Sequence, residues 1–311
     1  MKTRSNTFGA VFAFIQFALC VPLLQAADVI IIAGQSNAWR LGQIAKGPLK
    51  LAHPIHHYTR GCANADGQLT PTCHVLNKLN PNSYGAALAK GMMDELDDEL
   101  VIVHLGRCGS PIGFPGLNPI KAPGRADGTM TWYAGDDPKA GKFYNDGLYA
   151  DFLTYYSNAK SHFQKTRPGK KWNLRAIFWH QGEGDCRVER APAYEINLRN
   201  LLYRFRTDFP LVPFIAGEIR DKDPAGNVWP NPEASVVNQG INTIANDASV
   251  PQFYVVETSD VPFLQKNPKG KPPVYNVHMG GPGMKKMGAR MVATYKKAAA
   301  LHKQTKPPEK K

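Results

Sequence analysis

The chain has 311 residues, of which 43% are hydrophobic and 20% are charged, and its formal net charge is +13. This length suits one large α/β domain or two small ones, and no internal repeat or linker divides it. Much of the positive charge lies in the C-terminal stretch KKAAALHKQTKPPEKK, which predicts a solvated helix end and a disordered tail. No basic motif with interleaved aromatic residues is present, so we expect no nucleic-acid partner.

Residues 1–26 have the composition of a secretory signal peptide. A basic start precedes an apolar stretch over 8–24, and small residues suitable for cleavage surround Ala26. The apolar stretch is too short and too interrupted for a membrane span, so we expect a secreted or periplasmic protein without stable membrane insertion. A lipoprotein anchored at Cys20 is the alternative, although Leu19 stands where a small residue is required.

Export changes the interpretation of the cysteines, because disulfides form in oxidising compartments. Outside the signal peptide the candidates for disulfide bonds are Cys62, Cys73, Cys108 and Cys186. The short Gly/Asn-containing loop between Cys62 and Cys73 favours a bond between these two. A zinc site is the competing interpretation, but no C-x-x-C pair is present, so we expect no metal. The stretch HPIHHY has no carboxylate partner either, and we expect His53, His56 and His57 to be surface residues of a loop.

Five short apolar runs predict β-strands, in chain order at 28–33, 101–105, 174–179, 213–216 and 253–257. Each run is almost continuously hydrophobic, which is typical of strands buried on both faces of a sheet. Helical spacing of apolar residues predicts three amphipathic helices, at 84–97, 191–208 and 283–302. The alternation of strands and helices predicts an α/β fold, with a parallel sheet covered by helices on both faces.

We expect one domain over residues 27–303, followed by a basic tail over 304–311. Within the domain, the segment 106–150 is long for a connection and rich in Gly, Pro and aromatic residues. Such a loop in a compact domain is typically functional or mobile, and we expect it to lie over the carboxyl edge of the sheet. Its Trp132 and Tyr133 are candidates for lining a sugar site, the alternative being a small apolar core within the loop.

Four polar clusters follow the predicted strands. GQSN (34–37) follows the first strand, GRCGSPI (106–112) the second and WHQGEGDC (179–186) the third. The stretch VYNVHMGGPGMKKMGARM precedes the last helix and supplies His278. Because the carboxyl ends of parallel strands meet at one edge of a sheet, we expect these clusters to converge on one site.

The clusters contain the groups that nucleophilic catalysis requires. The hydroxyl of Ser36 becomes a nucleophile when a base removes its proton, and a histidine such as His278 has a suitable pKa. The oxyanion formed by attack on an acyl carbon needs preorganised donors, which the backbone N–H groups of Ser36 and Gly109 and the amide of Gln181 can supply. Each residue also has a simpler interpretation, since a serine after a strand more commonly caps the next helix.

The combination of GQSN, Gly-Ser-Pro-Ile, WHQGE and a late NVH, in that order, resembles the SGNH (GDSL-like) hydrolase superfamily. More narrowly, it is similar to the sialate O-acetylesterase and acetylxylan esterase branch, with carbohydrate esterase family six and its relatives. The resemblance implies a three-layer α/β/α sandwich around a parallel sheet of about five strands, the flavodoxin-like SGNH hydrolase fold. It also implies a carbohydrate O-acetylesterase that needs no cofactor and acts on an acetylated poly- or oligosaccharide.

By this resemblance Ser36 is the nucleophile, His278 is the catalytic base, and Gly109 and Gln181 belong to the oxyanion hole. The chain departs from the family at Cys108, where these esterases usually have another glycine, and more seriously at one further position. Tyr275 stands three residues before the histidine, where an aspartate usually orients the imidazole. In serine proteases the loss of that control over the histidine tautomer costs about four orders of magnitude in rate.

Three carboxylates are candidates for the missing acid. Glu183 of the HQGE motif is the first candidate, and Glu257 and Asp260 at the end of the fifth strand follow it. The alternatives are a Ser–His dyad held by a main-chain carbonyl, or a catalytically impaired carbohydrate-binding protein on the same fold. The resemblance also puts Cys108 and Cys186 on neighbouring loops, which favours a second disulfide between them.

Overall fold

The structure is a computed structural model that describes residues 26–59, 72–96, 98–113, 131–134, 147–221, 232–266 and 274–305. These residues form nine strands: β1 (Ala26–Gly34), β2 (Leu49–Thr59), β3 (Thr72–Leu79), β4 (Leu100–Gly106), β5 (Lys171–His180), β6 (Phe214–Gly217), β7 (Phe253–Val256), β8 (Phe263–Lys266) and β9 (Val274–Met279). They also form six α-helices: α1 (Ser36–Leu41), α2 (Ala86–Glu95), α3 (Leu148–Thr166), α4 (Tyr194–Asp208), α5 (Ala234–Ala245) and α6 (Gly281–Thr305).

A seven-stranded sheet forms the centre of the molecule, in the order β3-β2-β4-β1-β5-β6-β7. Its strands run parallel except for β3, which pairs antiparallel with β2 at one edge. Strands β8 and β9 form a separate antiparallel pair. The predicted α/β fold and all five predicted strands are confirmed, and β2 and β3 make the sheet larger than the expected five strands.

Strand β1 lies at the centre of the sheet and carries side chains into two separate cores. Val29, Ile31 and Ala33 pack on one face, in the core that is closed by α3, α4 and α5. Ile30 and Ile32 pack on the opposite face, in the core that is closed by α2 and α6. Because burial of each large aliphatic side chain contributes about 1.5–3 kcal/mol, the strand is held firmly from both sides. The residues that follow it therefore start from a rigid position.

The prediction that the histidines of HPIHHY lie in a loop is wrong, because all three belong to β2, and the prediction that they are surface residues is wrong for two of them. His53 is exposed, but His56 and His57 are each only 3% exposed within β2. His56 packs edge-on against Phe163 and lies 3.2 Å from Glu99, while burial lowers its pKa. Polar histidines interrupt the apolar pattern of this strand, which is why hydrophobic periodicity does not predict it.

The segment 131–134 packs into the molecule, as the small-core alternative predicts. Trp132 is fully buried, and its ring centroid lies 5.1 Å from that of Trp179 in a T-shaped arrangement. Tyr133 is also buried. Trp132 belongs to the core between the sheet and α3, so the interpretation of Trp132 as the lining of a sugar site is wrong. For Tyr133 that interpretation stays a prediction.

Both predicted disulfides are wrong, because Cys73 and Cys186 are free cysteines. The thiol of Cys186 is buried and donates to the carbonyl of Gly182 at 3.2 Å, so it is directed into its own turn. Burial among apolar neighbours is typical of a free cysteine that packs as a small hydrophobic residue. Cys108 is not among the free cysteines, and Cys62 lies outside the described residues.

The described helices include none with an apolar stretch long enough to cross a membrane. The predicted signal peptide falls almost entirely on residues 1–25, outside the described residues. At the other end, α6 continues to Thr305, and the rest of the predicted tail also lies outside them.

Candidate active site

The polar clusters after β4, β1 and β5 begin at the same level of the sheet. Gly34 at the end of β1 is in register with Gly106 of β4 on one side and with His180 of β5 on the other. The three strands are neighbours and parallel, so the turns that follow them leave the same carboxyl edge. This edge is where open α/β sheets bind ligands. The expected convergence of these three clusters is present.

Gly34 joins all three strands at this edge. Its φ of +134° favours glycine, and a Cβ atom here would lie only 2.2 Å from the carbonyl oxygen of His180. The Gly34 carbonyl accepts hydrogen bonds from the backbone N–H of Arg107 at 3.0 Å and from the indole N–H of Trp132 at 3.1 Å. The apolar strand therefore has to end on a residue without a side chain.

Gln35 ties the start of α1 to the turn after β5. Its backbone N–H donates to the His180 carbonyl at 3.0 Å, and its Oε1 accepts from the backbone N–H of Gly184 at 3.1 Å. Gln35 also occupies the N-cap position of α1 but makes no capping bond with its side chain. The side chain of Gln35 thus connects the first polar cluster to the third and does not cap α1.

Ser36 is the first residue of α1, so the interpretation of Ser36 as the helix N-cap is wrong. The residue is 4% exposed, and its hydroxyl has no hydrogen-bond partner among the described residues. The first N–H groups of a helix also have no acceptor within the helix. At the end of the central strand, Ser36 therefore has a hydroxyl group and a backbone N–H group that are both available for further hydrogen bonds.

The side chain of Asn37 holds the fourth cluster against the first. Its Nδ2 donates to the carbonyl of Val277 at 2.9 Å, and its Oδ1 accepts from the backbone N–H of Met279 at 3.0 Å. These two residues flank His278, so the amide of Asn37 fixes the backbone on both sides of the histidine. Asn37 is 1% exposed and follows Ser36 directly, so these hydrogen bonds join β9 to the start of α1.

His278 is half-buried in β9 and is subject to two opposing charges. Its pKa is lowered, first by burial and then by the positive charge of Arg40, whereas the negative charge of Glu183 raises it. The net effect keeps the imidazole neutral at neutral pH. A neutral imidazole is the form that accepts a proton.

Glu183 is a buried, ionised carboxylate between two histidines. Its Oε1 accepts from Nδ2 of Asn37 at 2.6 Å and lies 3.2 Å from Nε2 of His180. Burial raises the pKa of Glu183, but the nearby His180 and the hydrogen bonds outweigh burial and hold it below its ordinary value. Glu183 therefore acts on His278 through its charge, and on the backbone of His278 through Asn37.

The other two acid candidates face the surface. Asp260 is exposed and forms ion pairs with Lys286 and Arg290 of α6, both at 2.6 Å, and these cations hold its pKa well below the usual range. Glu257 is exposed as well. Tyr275 lies in β9, where its backbone pairs with that of Gln265. Of the three predicted candidates for the acid, Glu183 is the one that contacts the clusters.

The loop after β4 is tied to the turn after β5 by a buried carboxylate, Asp185. Its Oδ2 accepts from the backbone N–H of Ile112 at 2.8 Å, and its Oδ1 accepts from the backbone N–H of Gly113 at 2.9 Å. Earlier in the same loop, Gly109 has a φ of +70° and lies in open space, with no atom within 4 Å of the Cβ position. Asp185 therefore fixes the loop that presents Gly109 at the surface of the site.

Gln181 is fully buried beneath this loop. Its Nε2 donates to the carbonyl of Ser110 at 3.2 Å and to Oδ2 of Asp185 at 2.5 Å. In this arrangement the amide protons of Gln181 are used to hold the loop of Gly109. The backbone N–H groups of Ser36 and Gly109, the other predicted oxyanion donors, have no acceptor among the described residues.

Because the carboxyl group of Asp185 is buried, we expect its contribution to the stability of the protein to depend on pH. Burial raises its pKa from 3.8 to about 6 in the folded protein. The folded state therefore binds more protons than the unfolded state between these values, and this group's contribution to the free energy of unfolding falls as pH rises from about 4 to 6. Wild type should lose on the order of 3 kcal/mol relative to an Asp185→Asn variant over this range.

Denaturant unfolding of both proteins at a series of pH values measures this difference. The comparison with Asp185→Asn isolates the one carboxylate, because every other titrating group is common to both proteins. A constant difference between the two free energies of unfolding from pH 4 to 7 would contradict the prediction.

In the described part of the chain no group of three or more His, Cys, Asp or Glu side chains is arranged to hold a metal ion. A family model described as SASA, the carbohydrate esterase, sialic acid-specific acetylesterase family, matches residues 129–297, more than half of the chain. The chain belongs to this family. The range matched by the SASA model contains the third and fourth clusters, with Glu183 and His278.

Solved structures, one of them described as a carbohydrate acetylesterase, share the fold of this SASA-family chain. NanS has a TM-score of 0.54 and 15% identity, over 90% of this chain and 98% of NanS. XAC1771, described as a carbohydrate acetylesterase from Xanthomonas citri, has a TM-score of 0.54 and 14% identity, over 88% of this chain and 57% of its own. An Arabidopsis thaliana protein has a TM-score of 0.50 and 15% identity, over 88% and 98%. Comparison with curated proteins gives no match.

Two residues of the SASA-family site were not predicted from the sequence, namely Asn37 and Asp185. Both stand inside the quoted clusters, Asn37 in GQSN and Asp185 in WHQGEGDC. Their partners, however, lie at the other end of the chain or on another loop. A polar residue within a cluster that follows a buried strand is the signal that identifies such positions.

Proposed function

We propose that the protein is a secreted serine esterase that removes O-acetyl groups from an oligo- or polysaccharide through an acyl-enzyme. The observation that carries the proposal is the set of hydrogen bonds by which Asn37, the residue after Ser36, holds both flanks of His278. The family and the fold, both of carbohydrate acetylesterases, support an acetyl ester as the bond that is cleaved.

In the first half-reaction, the Oγ of Ser36 attacks the carbonyl carbon of the acetyl group while His278 accepts the hydroxyl proton. The tetrahedral intermediate then collapses. The bond between the acetyl carbon and the sugar oxygen breaks, and His278 donates its proton to the leaving sugar hydroxyl. In the second half-reaction, His278 takes a proton from water, the water oxygen attacks the acetyl-enzyme, and acetate leaves as Ser36 regains its proton.

The backbone N–H groups of Ser36 and Gly109 stabilise the oxyanion in this proposal. Each well-placed donor of this kind lowers the barrier by on the order of 3 kcal/mol. Gln181, predicted as a third donor, contributes by holding the loop of Gly109 through the Ser110 carbonyl. Asp185 supports the same loop from its other side.

We assign the role of the triad acid to Glu183, which acts on His278 through its charge. Its buried negative charge favours the imidazolium form of His278 that arises when Ser36 is deprotonated. Arg40, on the same helix as Ser36, opposes this effect. The balance of the two charges sets the pH at which His278 becomes an effective base.

Removal of the positive charge of Arg40 and removal of the negative charge of Glu183 should shift the acid limb of the kcat/KM profile in opposite directions. Arg40→Gln raises the pKa of His278, so the acid limb moves to higher pH, whereas Glu183→Gln lowers the pKa and moves the limb to lower pH. Profiles of kcat/KM against pH with an aryl acetate measure both shifts. Arg40→Lys keeps the charge and serves as the control. Shifts of the same sign in both variants would contradict the assignment of His278 as the base.

Two measurements on the purified protein test the proposed function. Release of acetate from O-acetylated sialic acid and from acetylated xylo-oligosaccharides tests the reaction, and labelling with a fluorophosphonate followed by peptide mapping tests the nucleophile. We expect acetate release from at least one substrate and a label on Ser36. A protein that binds these sugars but neither releases acetate nor takes up the label would instead be the carbohydrate-binding alternative.

A further inference from the structure

A cavity of about 510 Å³ lies next to the candidate active site, between α1, the end of β2 and the segment that precedes α2. We call it the α1 pocket. Its lining includes Trp39 and Gln43, the polar pair Asn80 and Asn82, and Tyr84. Its volume falls within the range of roughly 300–1,000 Å³ that is typical of small-molecule sites.

Helix α1 forms a common wall between the pocket and the catalytic residues. Trp39 is three residues from Ser36 on this helix, which corresponds to roughly 4.5 Å along the helix axis. On the other side, the guanidinium of Arg40 lies 5.2 Å from the ring centroid of Tyr84 and close enough to His278 to lower its pKa. The pocket therefore shares α1 with the candidate nucleophile Ser36.

The lining is aromatic and polar but uncharged. Among the described residues that form it, no Asp, Glu, Lys or Arg side chain is present. Trp39 and Tyr84 offer apolar ring faces, and the side-chain amides of Gln43 and Asn82 offer donors and acceptors together. A ligand with apolar ring faces and hydroxyl groups at its edge, but without charge, matches this combination.

A buried histidine forms part of the wall of the pocket. His57 lines the pocket and is 3% exposed, and its Nε2 makes no hydrogen bond to any described residue. Burial and the neighbouring His104 hold the pKa of His57 well below its ordinary value, so the ring is neutral. His57 therefore adds a neutral ring to the wall of the pocket.

We infer that the α1 pocket is a subsite for an uncharged sugar residue that neighbours the acetylated one in the substrate. The inference rests on the proposed function, because it assigns the pocket to the same substrate. It implies that the protein acts on acetyl groups within an oligosaccharide in preference to those on a free monosaccharide.

Binding of unacetylated oligosaccharides to the Ser36→Ala variant tests the subsite without any need for catalysis. Isothermal titration calorimetry with xylotetraose and lactose should give measurable binding, and tetragalacturonate should bind more weakly than xylotetraose. Trp39→Ala should raise the Kd of the neutral sugars about five- to tenfold, and Trp39→Phe should restore most of the affinity. Tyr203→Ala removes an aromatic ring that is 69% exposed on α4, far from the pocket, and serves as the control.

The Asn82→Ala variant tests the same pocket without any change in α1, because Asn82 is exposed on a different segment of the chain. It should raise the same Kd about threefold or more. The inference is overturned if no neutral sugar binds at millimolar concentration, or if neither Trp39→Ala nor Asn82→Ala changes the Kd. A protein that binds neutral sugars through these residues but releases no acetate would retain the subsite and lose the proposed function.

Discussion

Replacement of Ser36 by alanine should abolish esterase activity while leaving the fold intact. We expect kcat/KM on acetylated xylo-oligosaccharides and on an aryl acetate to fall by roughly four to six orders of magnitude, as expected for loss of an activated serine nucleophile. The hydroxyl of Ser36 has no hydrogen-bond partner among the described residues, so its removal should change the free energy of unfolding by less than about 1 kcal/mol.

Steady-state kinetics and denaturant unfolding of the same preparation measure the two quantities. Ser157→Ala is the matched control, because Ser157 is an exposed serine within α3, far from the carboxyl edge. Activity of Ser36→Ala within tenfold of wild type would exclude Ser36 as the nucleophile. The same variant then serves in the binding experiments with the α1 pocket.

Replacement of Asn37 by alanine should reduce both stability and activity. The variant loses the hydrogen bonds to Val277, Met279 and Glu183, and it leaves their polar groups unsatisfied in a buried place. Each such group costs about 1–3 kcal/mol in the free energy of unfolding. Since His278 then loses the restraint on both of its flanks, we expect kcat to fall about 100-fold with little change in KM.

Asn173→Ala separates the effect on catalysis from a general loss of stability. Asn173 donates to Asp28 at 3.0 Å at the opposite edge of the sheet, so its loss should lower stability and leave kcat unchanged. Kinetics well below the unfolding temperature of each variant provide the measurement. A kcat for Asn37→Ala equal to that of Asn173→Ala would show that Asn37 is structural only.

The sheet was predictable where strands are buried on both faces by aliphatic residues. Runs such as 28–33 and 101–105 contain little except side chains that belong in a core, and they form β1 and β4. Strand β2 could not be predicted in this way, because its buried His56 and His57 are accommodated by particular neighbours, Phe163 for one and His104 for the other. The hydrophobic periodicity of the sequence shows which residues are apolar, but it contains no information about these pairings.

The members of the candidate site were predictable, but the contacts between them were not. Strand register brings the clusters of Ser36 and Gly109 to one edge, and this follows from the parallel sheet alone. The contacts of Asn37 and Asp185 span 242 and 73 residues of sequence, a separation at which spacing carries no information. The disulfide prediction failed for a related reason, since Cys186 lies near the expected loop but its thiol is directed into its own turn.

The hydrogen bond from Met279 to Asn37 also has a consequence for the order in which the protein matures. The two residues are separated by almost the whole domain, and contacts of such long range form late in folding because a large loop must close first. A chain that has not yet docked its last strand lacks the contact between Asn37 and the backbone around His278. Under the proposed mechanism, hydrolytic competence therefore follows the docking of β9, and we expect a chain cut short before β9 to be inert.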